Sequence, residues 1–135
     1  MTSKIEDIEG IGEKTGQILR QANITTPDKL LEVACNKKGR QELAEKTGLS
    51  EKNILKWTNM ADLCRVSGVS TQYSELLEAA GVDTIKELAT RNAENLAAKM
   101  NEVNQEKKLV RQPPSEKSVA SWVDQAQTLP AYISH

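Results

Sequence analysis

The sequence lacks the side chains on which most enzymes and metal sites depend. Its single histidine is His135, and its only cysteines are Cys35 and Cys64. One histidine at that position leaves no partner for a Ser–His or Cys–His nucleophile and no histidine-ligated metal centre. Two widely spaced cysteines form neither a disulfide framework nor a zinc site, so both are predicted to be small buried residues. We therefore expect a protein that is not an enzyme and that uses no metal or cofactor.

Long apolar runs, phenylalanine and nucleotide-binding glycine patterns are also missing. Without an apolar run of membrane-spanning length, a secretory signal or a transit peptide, we expect a soluble cytoplasmic chain that does not bind membranes. Gly10 and Gly12 lack the third glycine of a dinucleotide-binding loop, so no small-molecule substrate is expected. Because aromatic residues make up only 3%, the core must be built from leucine, isoleucine, valine and alanine.

Neither sign of charge dominates, because 18 lysines and arginines stand against 19 acidic residues, a formal net charge of −1. This balance counts against a strongly basic protein that binds nucleic acid indiscriminately. Any such binding must use local patches, and two basic clusters are present. They are Lys37, Lys38 and Arg40, and Lys107, Lys108 and Arg111. The alternative for the first cluster is a group of solvated charges, and cations suit the helix C-terminus predicted at the second.

The most informative segment present is residues 8–16, Ile-Glu-Gly-Ile-Gly-Glu-Lys-Thr-Gly. Gly10 and Gly12 permit a tight turn, and Ile8 and Ile11 fix that turn to a core. A glycine turn that leads into a helix N-terminus leaves backbone N–H groups without acceptors, and phosphate oxygens suit them. The alternative is a purely structural turn with Lys14 on a solvated face.

This segment resembles the helix-hairpin-helix motif of DNA repair and recombination proteins. The motif runs apolar, any residue, Gly, apolar, Gly, then three residues and a small one, which here is Gly16. The resemblance implies that the hairpin amides hold the DNA backbone without reading bases, and that the basic residue two places after the second glycine assists them. The phosphate-binding residues it implies are Gly10, Ile11, Gly12, Glu13, Lys14 and Thr15.

A second copy of the pattern appears at an offset of 58 residues, which aligns Gly10 with Gly68. The apolar positions of the turn and of the next helix return in register. The copy differs where phosphate would bind, because Ser70 replaces the second glycine and Gln72 replaces the lysine. Gly68, Val69 and Ser70 are therefore expected to form a structural turn or a weaker phosphate contact, with Ser70 as a helix N-cap.

Helical periodicity and capping residues recur along the chain. Helices are predicted over 3–8, 13–21, 51–65, 71–80 and 92–109, with others beginning at Thr26, near Lys37, at Thr84 and near Ser115. Trp57 is predicted to lie in the core and 130–135 to form a frayed tail. The predicted class is all-α, with two helix-hairpin-helix units in tandem as a pseudo-two-fold repeat, a SAM-domain-like helical bundle, plus extra C-terminal helices. The predicted units are 1–59 and 60–112, and 113–135 supplies a C-terminal helix packed on the repeats and a short tail.

Nearly the whole chain resembles a bacterial family of unknown function built from such tandem units, and two hypotheses of function follow. The first is a non-enzymatic, sequence-independent DNA-binding module that grips phosphates through the first hairpin, with the basic clusters as auxiliary contacts and weak, salt-sensitive binding. The second is a protein–protein interaction adapter, in which the repeats are a scaffold and the C-terminal helix or an apolar groove recognises a protein partner. Basic clusters on the hairpin face would favour DNA, whereas an exposed apolar groove would favour the adapter.

Overall fold

The computed structural model describes residues 4–134, and all regular structure in that range is helical. The helix predicted over 3–8 is reduced to a 3-10 turn at Ile5–Asp7, and Ser3 lies outside the described residues. Eight α-helices follow in this range. They are α1 (Glu13–Gln21), α2 (Pro27–Ala34), α3 (Lys37–Thr47), α4 (Glu51–Leu63), α5 (Thr71–Ala79), α6 (Ile85–Leu88), α7 (Ala93–Lys107) and α8 (Glu116–Thr128). The predicted all-α class is confirmed.

Side-chain caps fix where several of these helices begin. The Thr26 hydroxyl accepts a hydrogen bond from the Lys29 N–H at 3.1 Å, and Pro27 occupies the first position of α2. The Ser50 hydroxyl accepts from the Asn53 N–H at 3.1 Å and caps α4 in the same way. Each bond satisfies one of the backbone donors that a helix leaves open in its first turn. The caps predicted at both positions are therefore confirmed.

Two helices end earlier than their periodicity predicts. α4 stops at Leu63 rather than at residue 65, and α7 stops at Lys107 rather than at residue 109. Beyond α7, Lys108 adopts a left-handed conformation with φ of 53°. The Asn104 side chain then bonds both the N–H and the carbonyl of Val110, each at 3.0 Å. These bonds turn the chain out of the helix into an ordered loop.

The chain divides into two compact units. The first comprises the chain up to Asp62 together with the terminal segment from Tyr132, and the second runs from Leu63 to Ala131. α8, which the sequence pattern separates into 113–135, lies inside the second unit and packs on α6 and α7. α8 is therefore part of the core of the second unit rather than a separate segment packed on it.

The buried core of the first unit contains one aromatic residue, Trp57 of α4. Trp57 is only 6% exposed, which confirms its predicted place in the core. A Cβ placed on Gly10 would lie 3.2 Å from Trp57 Nε1, so this side chain covers the glycine turn. The buried residues of this core are Ile5, Ile8, Ile11, Leu19, Ile24, Leu30, Leu31, Ala34, Leu43, Ile54, Trp57, Met60 and Ala61.

In the second unit, too, a tryptophan covers the glycine turn. A Cβ placed on Gly68 would lie 3.0 Å from Nε1 of Trp122 in α8. The Trp122 ring is tilted against Tyr73 with centroids 5.4 Å apart, a favourable arrangement for an aromatic pair. The buried residues of this core are Leu63, Val66, Val69, Leu76, Leu77, Ala80, Val82, Ile85, Leu88, Leu96, Met100, Val103, Val119, Trp122, Val123 and Ala126.

The end of the chain is docked, so the frayed tail predicted there is wrong for residues 133 and 134. Ile133 packs against the core of the first unit, and the Ser134 N–H donates to the Cys35 carbonyl at 2.8 Å. Residues 130–135 have no helical periodicity, so these contacts could not be predicted from the sequence. His135 lies outside the described residues.

Both cysteines are half-buried, which corrects the prediction that they are buried small residues. Cys35 is the C-terminal cap of α2, and Cys64 directly follows α4, so each stands at the edge of a helix rather than on its inner face. Burial raises the pKa of the Cys64 thiol, although a hydrogen bond with Ser74 opposes the shift. A raised pKa makes this thiol a poor nucleophile at neutral pH.

Candidate functional site

The turn at Gly10–Gly12 is held from the inside by two isoleucines. Gly10 has φ of +92°, a conformation that L side chains rarely adopt. Ile8 and Ile11 are buried, and the Ile11 N–H donates to the Ile8 carbonyl at 3.1 Å. Ile11 therefore anchors the turn with both its side chain and its amide, and it has no free N–H to offer a phosphate as the resemblance implied.

The N-terminus of α1 is open. Its N-cap is Gly12, which has no side chain to accept a hydrogen bond, and a Cβ placed there would meet nothing within 4 Å. The first α-helical bond of the turn joins the Gly16 N–H to the Gly12 carbonyl at 2.8 Å. Glu13, Lys14 and Thr15 precede that bond, so within the described chain their N–H groups lack an intrahelical acceptor. Lys14 is exposed in the same turn.

An open depression of about 710 Å³ lies beside this turn, and its charges are balanced. Glu6 accepts two hydrogen bonds from the Arg20 guanidinium, at 2.7 and 2.8 Å, in a bidentate ion pair. Gly16 leaves room for this pair, because a Cβ there would overlap the Glu6 side chain. The depression is lined by Lys4, Glu6, Ile11, Gly12, Glu13 and Arg20. Two carboxylates among these residues reduce the attraction for an anion.

The Glu6–Arg20 pair predicts a specific pH dependence of stability. The hydrogen bond from Arg20 is the main reason that the pKa of Glu6 falls from 4.5 to about 2. A depressed carboxyl pKa stabilises the folded state above the unfolded pKa, and this contribution is lost as the pH falls through the folded value. We expect wild type to melt higher than Glu6→Gln above pH 4.5 and the difference to vanish towards pH 2, measured as Tm against pH. A difference in Tm that does not change with pH would contradict this assignment.

In the second turn, at Gly68–Ser70, a side chain caps the helix that follows. Gly68 has φ of +96°, and the Val69 N–H donates to the Val66 carbonyl at 3.1 Å, as in the first turn. Here, however, the Ser70 hydroxyl accepts from the Tyr73 N–H at 3.2 Å. The predicted cap at Ser70 is confirmed. One donor of the first turn of α5 is therefore already satisfied, whereas the equivalent donors of α1 are not.

The three residues of the first basic cluster do not share one surface, because two are exposed and one is buried. Lys37 and Lys38 are exposed at the start of α3, which packs mainly on α2. Arg40 is only 4% exposed, and its guanidinium donates to the carbonyls of Ala34 and Ser134 at 2.9 and 2.8 Å. Arg40 is thus a structural residue that binds the end of the chain. Its expected role as an auxiliary phosphate contact is corrected.

The second basic cluster lies near the second glycine turn, within the same unit. Lys107, Lys108 and Arg111 are all exposed. Lys108 and Arg111 line an open depression of about 660 Å³ together with Gln72 and Tyr73, which lie in the first turn of α5. The structure therefore brings two of the three cations together with the residues that follow the second glycine turn.

Residues 4–134 contain no group of three or more histidine, cysteine, aspartate or glutamate side chains placed to hold a metal ion. In the same range, no helix combines the length and the apolarity needed to cross a membrane.

Residues 9–129 match the family described as "Domain of unknown function (DUF4332)". The chain belongs to this family. The matched range contains both glycine turns and all eight helices of the described structure. No curated protein and no solved structure gave a significant match.

One correspondence between the units was missed in the sequence because its offset differs from that of the glycine turns. Ser50-Glu51-Lys52 and Ser115-Glu116-Lys117 each begin a helix, and a tryptophan follows each serine by seven residues. These segments are 65 residues apart, whereas the glycine turns are 58 apart. An insertion of seven residues in the second unit, between its glycine turn and α8, accounts for the difference and makes α8 the counterpart of α4.

Proposed function

We propose that this chain is a non-enzymatic DNA-binding module that holds the phosphate backbone through the turn at Gly10–Gly12 without reading base sequence. One observation carries the proposal: the N-cap of α1 is Gly12, and no side chain in the part of the chain that the structure describes caps the donors of the first turn. Phosphate oxygens are natural acceptors at such a terminus, and the helix dipole adds to the attraction. Contacts of this kind position DNA and carry no sequence information.

The contact we propose combines backbone and side-chain donors. The N–H groups of Glu13, Lys14 and Thr15 would donate hydrogen bonds to a phosphate oxygen, and the exposed Lys14 ammonium would add a charge-assisted contact. The open space around Gly12 lets the DNA backbone approach closely. Because Glu13 and Glu6 lie nearby, we expect weak binding, with Kd on the order of 10⁻⁴ to 10⁻⁶ M, the range of non-specific DNA binding.

We also propose that the two units are helix-hairpin-helix units in tandem. In support, each unit has a glycine with φ above +90° between two buried apolar residues, and each covers that glycine with a tryptophan. A bacterial protein that binds DNA in this way would act in the cytoplasm, where the chromosome lies.

The protein adapter has less support. The apolar face of α8, which would dock on a partner, is buried in the core of the second unit. Among residues 4–134, Tyr132 is the one large apolar side chain classed as exposed, at 48%. A single exposed tyrosine does not make the contiguous apolar patch expected of an interaction site.

The proposal is tested by replacing Gly12 with serine, which would give α1 the cap that Ser70 gives α5. The serine hydroxyl would compete with phosphate for a first-turn N–H while adding a few tenths of a kcal/mol of stability. Phosphate must displace this hydroxyl, and a serine cap is worth about 1 kcal/mol relative to alanine, so Gly12→Ser should bind the duplex about fivefold more weakly than Gly12→Ala. The measurement is fluorescence anisotropy with a labelled duplex at about 50 mM salt, where phosphate contacts are strong.

Gly12→Ala is the matched control, because it adds a Cβ in open space but no hydroxyl. It should bind DNA within about twofold of wild type, since it leaves the first-turn donors free. If Gly12→Ser and Gly12→Ala bind equally well, phosphate does not use these amides. If wild type does not bind at this salt concentration, DNA is not the partner and the adapter becomes the working hypothesis.

A further inference from the structure

We propose that the second unit carries a separate binding site for DNA phosphates, formed by Lys108 and Arg111 beside Gln72 and Tyr73. The inference rests on the proposed function and adds a contact that does not use the turn at Gly10–Gly12. Its basis is a depression in which side-chain cations, rather than helix amides, supply the attraction.

The depression has the charge and the donors that a phosphodiester needs. It is open, with a volume of about 660 Å³, and its lining contains two cations and no carboxylate. The polar residues of the lining are Gln72, Tyr73, Asn104, Lys108, Arg111 and Gln112. A guanidinium presents a planar set of donors that fits phosphate oxygens, and an ammonium adds a point charge. The depression beside the first turn, by contrast, contains Glu6 and Glu13.

The loop that presents these cations is held in place at both ends. The Asn104 side chain, only 7% exposed, bonds the N–H and the carbonyl of Val110 at 3.0 Å each. The Tyr73 hydroxyl donates to the Gln112 carbonyl at 3.2 Å. Arg111 lies between these two anchored residues. A fixed backbone lowers the entropy lost when the cations engage a ligand, so the site is organised before binding.

Stabilisation of α7 alone does not account for both cations. Positive charge near a helix C-terminus is favourable, but the effect fades beyond the last turn. Lys107 occupies the last position of α7, whereas Arg111 stands four residues beyond it in the anchored loop. Arg111 lies too far from the C-terminus of α7 to stabilise it, whereas it is placed to bind an anionic ligand in the depression.

The test compares two double variants that remove the same charge. Lys108→Gln/Arg111→Gln removes both cations of the depression, and Lys99→Gln/Lys117→Gln removes two exposed cations elsewhere in the unit. The affinity of each full-length protein for a labelled duplex is measured over a range of salt concentrations, after circular dichroism has shown that each is folded. Each phosphate contact contributes about 0.9 to the slope of log Kd against log salt. Loss of both should lower the slope by about 2 and weaken binding about tenfold.

Lys108→Arg/Arg111→Lys keeps both charges and should bind nearly as well as wild type. If the two charge-removing variants lose affinity and slope equally, the depression is not a site, whereas the proposed function stands if Gly12→Ser still weakens binding. If Lys108→Gln/Arg111→Gln alone loses slope and Gly12→Ser matches Gly12→Ala, the depression binds DNA and the first turn does not. Wild type that does not bind DNA overturns both proposals.

Discussion

Gly39→Ala should be the most damaging small substitution in the first unit. Gly39 lies in the first turn of α3, where its N–H donates to the Asn36 side chain at 2.7 Å. A Cβ at this position would overlap the carbonyl oxygen of Val33 in α2. Because the obstacle is backbone rather than a flexible side chain, α2 and α3 must separate to relieve it. We expect a loss of about 3 kcal/mol or more in the free energy of unfolding, at the upper end of overpacking effects.

Alanine substitutions at two other glycines of the same unit serve as comparisons for the loss of stability expected in Gly39→Ala. Gly48→Ala adds a Cβ to a residue with φ of +78° in open space, so only backbone strain of about 1 kcal/mol is expected. Gly12→Ala meets neither strain nor a neighbour, and the poorer N-cap that alanine makes should cost only about 0.5 kcal/mol. Urea unfolding followed by circular dichroism ranks the three variants. If Gly39→Ala is as stable as Gly12→Ala, the close approach of α2 and α3 is wrong.

Trp122→Ala should destabilise the second unit by about 3–5 kcal/mol, the usual cost of removing a buried tryptophan. Trp122 is 3% exposed, lies over Gly68 and contacts the ring of Tyr73. Its removal leaves a cavity beneath the glycine turn, and the surrounding aliphatic side chains can fill only part of it. The loss also removes the ring against which Tyr73 packs, so the loop anchored by the Tyr73 hydroxyl should become more mobile.

Trp122→Phe keeps most of the apolar volume and should cost less than half as much. Urea unfolding gives the stability of both variants, and hydrogen exchange at Val110, whose N–H donates to the Asn104 side chain, reports the loop. Faster exchange in Trp122→Ala than in Trp122→Phe is expected. Equal stability of the two variants would show that Trp122 is not a core residue.

Local chemistry made much of the fold readable from the sequence. The positive φ of Gly10 and Gly68, the caps at Thr26, Ser50 and Ser70 and the burial of Trp57 all follow from residue type and spacing. Each depends on a few neighbouring residues, for which backbone propensity and capping are strong signals.

Contacts between residues far apart in the chain could not be predicted from residue type and local spacing. Arg40 stood out as a surface cation, but the carbonyl of Ser134, 94 residues away, makes it structural. The loop from Lys108 to Gln112 depends on the Asn104 and Tyr73 side chains, and neither sequence spacing nor charge indicates those bonds. The proposed phosphate site in the second unit is a product of such contacts, so charge clustering indicated its cations but not their placement.

Whether the open first turn of α1 holds a DNA phosphate is tested most directly by titrating ¹⁵N-labelled protein with a short duplex and following the amide chemical shifts. We expect the largest shifts at Glu13, Lys14 and Thr15, whose N–H groups would bind the phosphate, and little change at Ile11, whose N–H already donates to the Ile8 carbonyl. Saturable shifts confined to other parts of the chain, or no shifts at about 50 mM salt, would contradict this proposal.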